Sequence, residues 1–149
     1  MNIKDCQGLA PEKISSIKTR LDNSPLLKFL KAEIELLSPG FARVRIPFRP
    51  DFLQGFGVVQ GGIIATAGDT AAGIAFMTLL EPNEILSTVD LKMNFLAPMR
   101  GGDIFSEARI IQRGMLISLG EFEVKTFEGV LIAKGLTTLT AKVSRDAGK

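Results

Sequence analysis

An α+β domain in which a curved antiparallel sheet wraps one central helix is the fold this sequence predicts. Three observations lead there. Residues 61–80, GGIIATAGDTAAGIAFMTLL, are apolar nearly all round with a single charge, the pattern of a helix enclosed by protein rather than lying on a surface. Four strand-like runs follow, Ile85–Phe95, Asp103–Gln112, Leu116–Lys125 and Val130–Val143, and short turns join the last three as hairpins. Two more runs of period two precede the helix, so a sheet has to curl around it.

The elements follow in order. Residues 1–30 read as an irregular lead and short helical pieces. Pro11 opens a helix on which Ile14, Ile17 and Leu21 share one face; Asn23-Ser24-Pro25 breaks it, and Leu26–Leu30 forms a second apolar turn. Residues 31–143 form the main domain. Ala32–Leu37 and Ala42–Phe48 flank the turn signal Ser38-Pro39-Gly40, and in the second run Arg43 and Arg45 alternate with Val44 and Ile46, giving a basic and an apolar face. Residues 49–60, RPDFLQGFGVVQ, are a loop, and Pro82-Asn83 stops the helix after residue 80. Residues 144–149 are a polar tail. A sheet of this kind leaves edges and an apolar rim, so the chain is expected to pair with a second copy of itself.

Composition removes whole classes of chemistry. The 149 residues include 18 Lys+Arg against 16 Asp+Glu, a net charge of +2, which gives little reason to expect nucleic acid as a partner. There is no His, so Ser-His-Asp and Cys-His catalysis, His-ligated metals and a His general base are excluded. The single Cys, Cys6, rules out an intrachain disulfide and thiolate zinc cages, and no metal site is expected. The polar start MNIKDCQGLAPEK has no apolar stretch of signal-peptide length, and a cytoplasmic protein is expected. Residues 61–80 are long enough to span a bilayer, but Asp69 near their middle would cost about 2.5–3.5 kcal/mol there, so no membrane span is expected.

Two features carry candidate chemistry. Val59-Gln60-Gly61-Gly62 opens the central helix with two glycines, which leave main-chain N–H groups and the positive end of the helix dipole open to a carbonyl oxygen becoming an oxyanion; Gln60 adds a side-chain donor. The same glycine pair would also serve close helix–sheet packing alone. Asp69 is the one charge on the helix. A buried carboxylate must be paired, hydrogen-bonded or protonated, which suits a base or nucleophile, or a residue that bonds its neighbours at a subunit boundary. Nine residues separate Gln60 from Asp69, roughly 13 Å of helical rise, so one small reacting group cannot touch both in one chain. If both serve one site, Asp69 comes from a second copy, and a two-fold dimer with antiparallel helices forms two such sites.

The run GFGVVQGGIIATAGDTAAGIA resembles the hot-dog fold acyl-CoA thioesterases of the phenylacetate-degradation PaaI type. Their pattern is Asn, five residues, His-Gly-Gly, and Asp nine residues after the His. The likeness continues through Thr88-Val89-Asp90, Pro98, Gly101-Gly102-Asp103, Arg113-Gly114 and the segment 129–137, covering roughly residues 30 to 142. It implies thioester hydrolysis to a carboxylate and free CoA, with Asp69 as nucleophile or general base, Gly61 N–H and Gln60 polarising the carbonyl, and Thr88 positioning water. By the same resemblance, Gln54, Gly62, Asp90, Phe95, Arg100, Arg113 and Gly114 would bind substrate, with Arg43, Arg45 and Arg49 as further phosphate candidates. Phe52, Phe56 and Met77 would line an apolar acyl pocket. No cofactor is implied beyond the CoA that the substrate brings, and the assembly implied is a homodimer with shared sites that pairs into a tetramer.

Two positions depart from that pattern. Gln60 stands where the family has His, and Gln54 where it has Asn. A Gln donates a hydrogen bond but transfers no proton. A related branch acting on hydroxybenzoyl-CoA uses Gln there, but with a Glu about fifteen positions on, where this chain has Ala75. A thiolate leaving group needs little protonation, so hydrolysis does not require the missing imidazole. The alternative reading is a hot-dog protein that binds acyl-CoA without hydrolysing it.

Overall fold

The structure, a computed structural model, describes residues 2–143, so the expected tail 144–149 lies outside the described residues. Helices α1 (Pro11–Asp22) and α2 (Pro25–Leu30) lead into strands β1 (Glu33–Ser38) and β2 (Phe41–Ile46). A single 3-10 turn at Pro50–Phe52 precedes the long helix α3 (Gly61–Met77). Strands β3 (Glu84–Phe95), β4 (Ile104–Arg113), β5 (Ser118–Lys125) and β6 (Leu131–Val143) complete the chain. All six strands form one antiparallel sheet in the order β1-β2-β4-β5-β6-β3. This is the hot-dog architecture, with α3 packed against the sheet.

Small residues let α3 lie close to the sheet. Ala67, Ala71, Ala72 and Ala75 are wholly buried against a face built from Ala42, Val44, Ile104, Phe122, Val124 and Ala133. Phe122 sets the depth of this packing. Its ring fills a slot between Gly68 of α3 and Gly135 of β6, and a β-carbon on either glycine would collide with it. The N-terminal helices add Ile17, Leu21, Leu27 and Leu30 to the same core.

Helix α3 ends at Met77, three residues short of the predicted Leu80, because of Thr78. Its hydroxyl donates to the Ala75 carbonyl at 2.6 Å and accepts the Gly40 N–H at 2.7 Å, tying the helix end to the β1–β2 turn. The β4–β5 turn is longer than predicted, since Gly114 N–H donates to the Ile117 carbonyl and takes Leu116 and Ile117 out of the strand.

The outer face of the sheet carries the predicted Arg43 and Arg45, and each is matched by a carboxylate. Arg43 lies 3.5 Å from Glu107, Glu107 pairs with Lys125, Lys125 with Glu123 and Glu123 with Lys134, a ladder crossing β2, β4, β5 and β6. The two edges of the sheet differ. Residues 2–7 run parallel to β1 and bond its main chain, Lys4 N–H to Ile34 O and Leu37 N–H to Asp5 O among them, so that edge is occupied. At the other edge, among the described residues, β3 pairs with β6 alone, and a bulge at Val89 interrupts its register.

Candidate functional site

Gln60 is the N-cap of α3. Its Oε1 accepts the Gly61 N–H at 3.0 Å, satisfying one of the donors that every helix start leaves without an intrahelical partner. The Phe95 ring of β3 lies over Gly61, so close that an added β-carbon would sit 3.0 Å from it and the ring would have to shift by a few tenths of an ångström. The loop before the helix is anchored by Val59 N–H on Met99 O and Gln60 N–H on Phe52 O. Within it, Gln54 closes a turn in two ways: its carbonyl accepts from Gly57 N–H at 2.9 Å, and its side-chain Oε1 accepts from Phe56 N–H at 2.6 Å.

These groups surround a cavity of about 370 Å³. Gln54, Gln60, Gly61 and Phe95 line it together with Val58, Val59, Ile64, Leu96, Met99 and Ile132, and among the described residues no charged side chain lines it. The apolar lining therefore differs from the one predicted. Phe52 is buried in the core, Phe56 points outward at 89% exposure, and Met77 lies at the far end of α3. The lining residues fall in the 54–64 segment, at and just after the end of β3, and on β6, and only the pairing of distant segments brings them together.

Asp69 is half-buried rather than enclosed, because α3 turns that face toward the β3 edge. Its Oδ1 accepts the Thr88 hydroxyl at 2.9 Å. Thr88 and Asp90 flank the Val89 bulge and are both exposed; the Asp90 carbonyl accepts the Thr137 hydroxyl at 3.1 Å. Asp69 and Thr88 do not line the cavity at the helix start. Gly62 lies exposed in the first turn of α3.

A second cavity, about 350 Å³, opens near the other end of β3, lined by Glu84, Arg113, Gly114, Met115 and Leu116 among others. Arg113 is held by Glu84, Nη2 to Oε2 at 2.8 Å, and the same Oε2 accepts the Glu81 N–H at 2.7 Å. Gly114 has no room for a side chain, since a β-carbon would strike the Ile117 carbonyl. Arg100 is exposed. Arg45 is paired with Glu33 and Asp103, and Arg49 with Asp51 while lying over the Phe29 ring. Within one chain, then, the predicted residues form three groups: Gln54, Gln60, Gly61 and Phe95; Asp69 and Thr88; Arg113 and Gly114. Among the described residues no cluster of three His, Cys, Asp or Glu could hold a metal ion, and no helix is long and apolar enough to cross a membrane.

Comparison with known proteins agrees with this architecture. A protein of Saccharolobus solfataricus named as a candidate esterase is 35% identical over 111 residues, 74% of this chain and 79% of that protein. The medium/long-chain acyl-CoA thioesterase YigI of Escherichia coli is 25% identical over 129 residues, 76% of this chain and 83% of YigI. Among solved structures, a thioesterase family protein of Silicibacter pomeroyi superposes with a TM-score of 0.84 at 27% identity, covering 89% of this chain and 99% of that one. The PaaI protein of E. coli shares the fold, with a TM-score of 0.83 at 18% identity over 92% of this chain and 98% of that one. The family model of the Thioesterase superfamily matches residues 56–133, which take in the lining of the first cavity except Gln54, α3, the Asp69–Thr88 pair and Arg113-Gly114, and the chain belongs to that superfamily.

Proposed function

We propose that this protein is an acyl-CoA thioesterase working as a homodimer, each site built from both copies. The observation that carries the reading is the Asp69–Thr88 hydrogen bond: the one carboxylate of α3 is oriented by a hydroxyl on the open edge strand, nine residues from Gln60 and eight from Gly61. Strand β3 carries Phe95 beside the first cavity and Glu84 beside the second. Two β3 edges pairing antiparallel would set the first cavity of one chain against the second cavity of the other. The acyl carbonyl would then meet the N-terminal end of α3 in one copy and Asp69 in its partner.

In the proposed reaction Asp69 takes a proton from water as the water oxygen bonds to the thioester carbon. The C–S bond then breaks, and CoA leaves as a thiolate that recovers the proton. Asp69 attacking the carbon directly, to give an anhydride that water hydrolyses, is the nucleophilic form of the same arrangement. CoA arrives with the substrate. Arg113, Gly114 and Asp90 would meet its outer part, with Arg113 moving between Glu84 and a phosphate, and exposed Arg100 adding charge. The uncharged cavity and the named activity of the YigI relative favour an unsubstituted hydrocarbon acyl group.

The test is hydrolysis of phenylacetyl-, benzoyl- and medium-chain acyl-CoAs by the wild-type protein and by Asp69→Asn. Turnover on at least one substrate, lost by 10²-fold or more in the variant, is expected for a general base. Equal turnover in both would remove Asp69 from the reaction, and acyl-CoA binding with no turnover would make this a binding protein.

A further inference from the structure

We infer that Asp90 and Lys92 select the register in which two β3 edges pair, Asp90 of each copy meeting the partner's Lys92. This rests on the homodimer proposed above and chooses among the alignments open to it. Elsewhere on the outer face of the sheet, charges are matched within the chain, Arg43 with Glu107, Lys125 with Glu123 and Arg45 with Asp103 among them. Asp90 and Lys92 lie on that same face, opposite Thr138 and Leu136 of β6, and both are exposed. Among the described residues neither side chain has a hydrogen bond or an ion pair, and Asp90 takes part only through its carbonyl.

An edge of this kind offers few alignments. Leu91 and Met93 turn the other way and pack against the core. When two β3 edges join into one continuous sheet with both α3 helices on the same side, residues directly opposite each other share a face. Between identical antiparallel strands the two-fold axis then passes through a residue. An axis at Asp90 sets that carboxylate against its own copy, and an axis at Lys92 does the same with the ammonium group. Like charges directly opposite each other oppose pairing. An axis at Leu91 instead gives two attractive pairs, Asp90 with the partner's Lys92 and Lys92 with the partner's Asp90. Moving the axis by one residue either way loses both attractions and adds a repulsion.

The Leu91 axis also suits a shared site. With Val89 bulged out of the ladder, Thr88 comes level with the partner's Met93, two residues or about 7 Å along the strand from the partner's Phe95. In each copy Phe95 covers Gly61 and Thr88 holds Asp69, so the carboxylate of one chain is carried to the helix start of the other. Asp90, named above among the groups that meet CoA, is then held by the partner's Lys92 much as Arg113 is held by Glu84.

Charge exchange tests the register through assembly alone. Asp90→Lys and Lys92→Asp each place like charges opposite one another in their own homodimers. The dimer dissociation constant of each is expected to rise about tenfold or more by analytical ultracentrifugation, with the fold retained by far-UV circular dichroism. Mixed together, the two variants set every lysine against an aspartate, and native mass spectrometry is expected to show the mixed pair in preference to either homodimer. The double variant Asp90→Lys/Lys92→Asp should pair with itself as the wild type does and should not mix with the wild type. Single variants that pair as tightly as wild type, no preference for the mixed pair, or a wild-type monomer would overturn the assignment. Failure of the thioesterase reading is separate, appearing as no turnover while this pattern of pairing holds.

Discussion

Phe122 shows how one residue fixes the distance between helix and sheet. Its ring is held between two glycines, Gly68 and Gly135, that contribute only main chain to the slot. Phe122→Ala would leave a cavity at the centre of the molecule, costing about 3–5 kcal/mol. Gly68→Ala pushes the other way, forcing the ring out at a cost of about 1–3 kcal/mol or more. Both are measured by chemical denaturation followed by far-UV circular dichroism, as the chain has no Trp or Tyr to report by fluorescence. The Thr88 hydroxyl has a narrower task. Thr88→Val keeps the shape and the strand while removing the bond to Asp69, and kcat is expected to fall about five- to tenfold, what a hydrogen bond of about 1 kcal/mol supplies. At this scale the residues with separable signals were legible in the sequence: one carboxylate in a long apolar run, and a glycine pair at a helix start. The Gln60 cap was not, because an amide's choice between accepting from its own main chain and donating outward is settled only by local geometry.

At the scale of elements, β1, β2 and the turn before β4 are tied together by charge. Arg45 reaches Glu33 at 2.9 Å and Asp103 at 2.5 Å, and Asp103 also accepts the Phe48 N–H at 2.9 Å. Partial burial pushes the Asp103 carboxyl up, but the Phe48 N–H and the Arg45 guanidinium more than offset it and hold it below its ordinary 3.8. Lys4, helped by Arg45 against partial burial, holds Glu33 below its ordinary 4.5. A carboxyl lowered in the folded state contributes stability that is present above its unfolded value and lost as pH falls through the folded one. The melting temperature is therefore expected to hold between pH 7 and 5 and to fall below about pH 4, with a shallower fall in Asp103→Asn. The groups are partly exposed, so added salt should also reduce the effect. Gly101-Gly102-Asp103 thus has a structural task in fastening the end of β2. The helix and six strands were legible in alternation and turn residues, because periodicity reports burial directly. The cavity at the start of α3 was not. Large aromatics seemed its natural lining, but Phe52 is drawn into the core, and the residues that line the cavity come from three segments that only the β3–β6 pairing and the loop anchored on Met99 bring together.

For the whole molecule, the separation of Gln60 from Asp69 makes activity and assembly one question. If each site takes one residue from each copy, Asp69→Asn and Gln60→Glu proteins, inactive alone, should regain turnover when unfolded together and refolded. Half the dimers would then be mixed, with one intact site in two, so recovery should approach about a quarter of wild-type activity. No recovery at a confirmed dimer mass would place both residues in separate, single-chain tasks. Val89 is 60% exposed on the open edge, and Val89→Glu is expected to give a folded monomer by light scattering, without activity, because charge on an edge strand opposes pairing.

The segment lying along β1 has a consequence for how large the proposed assembly can grow. A sheet with two open edges can add copies without end, as fibrils do, whereas one with a single open edge stops when two such edges have met. Residues 2–7 close one end of every sheet. Removing them would leave β1 as sticky as β3, and a self-limiting pair would become a chain that lengthens with concentration.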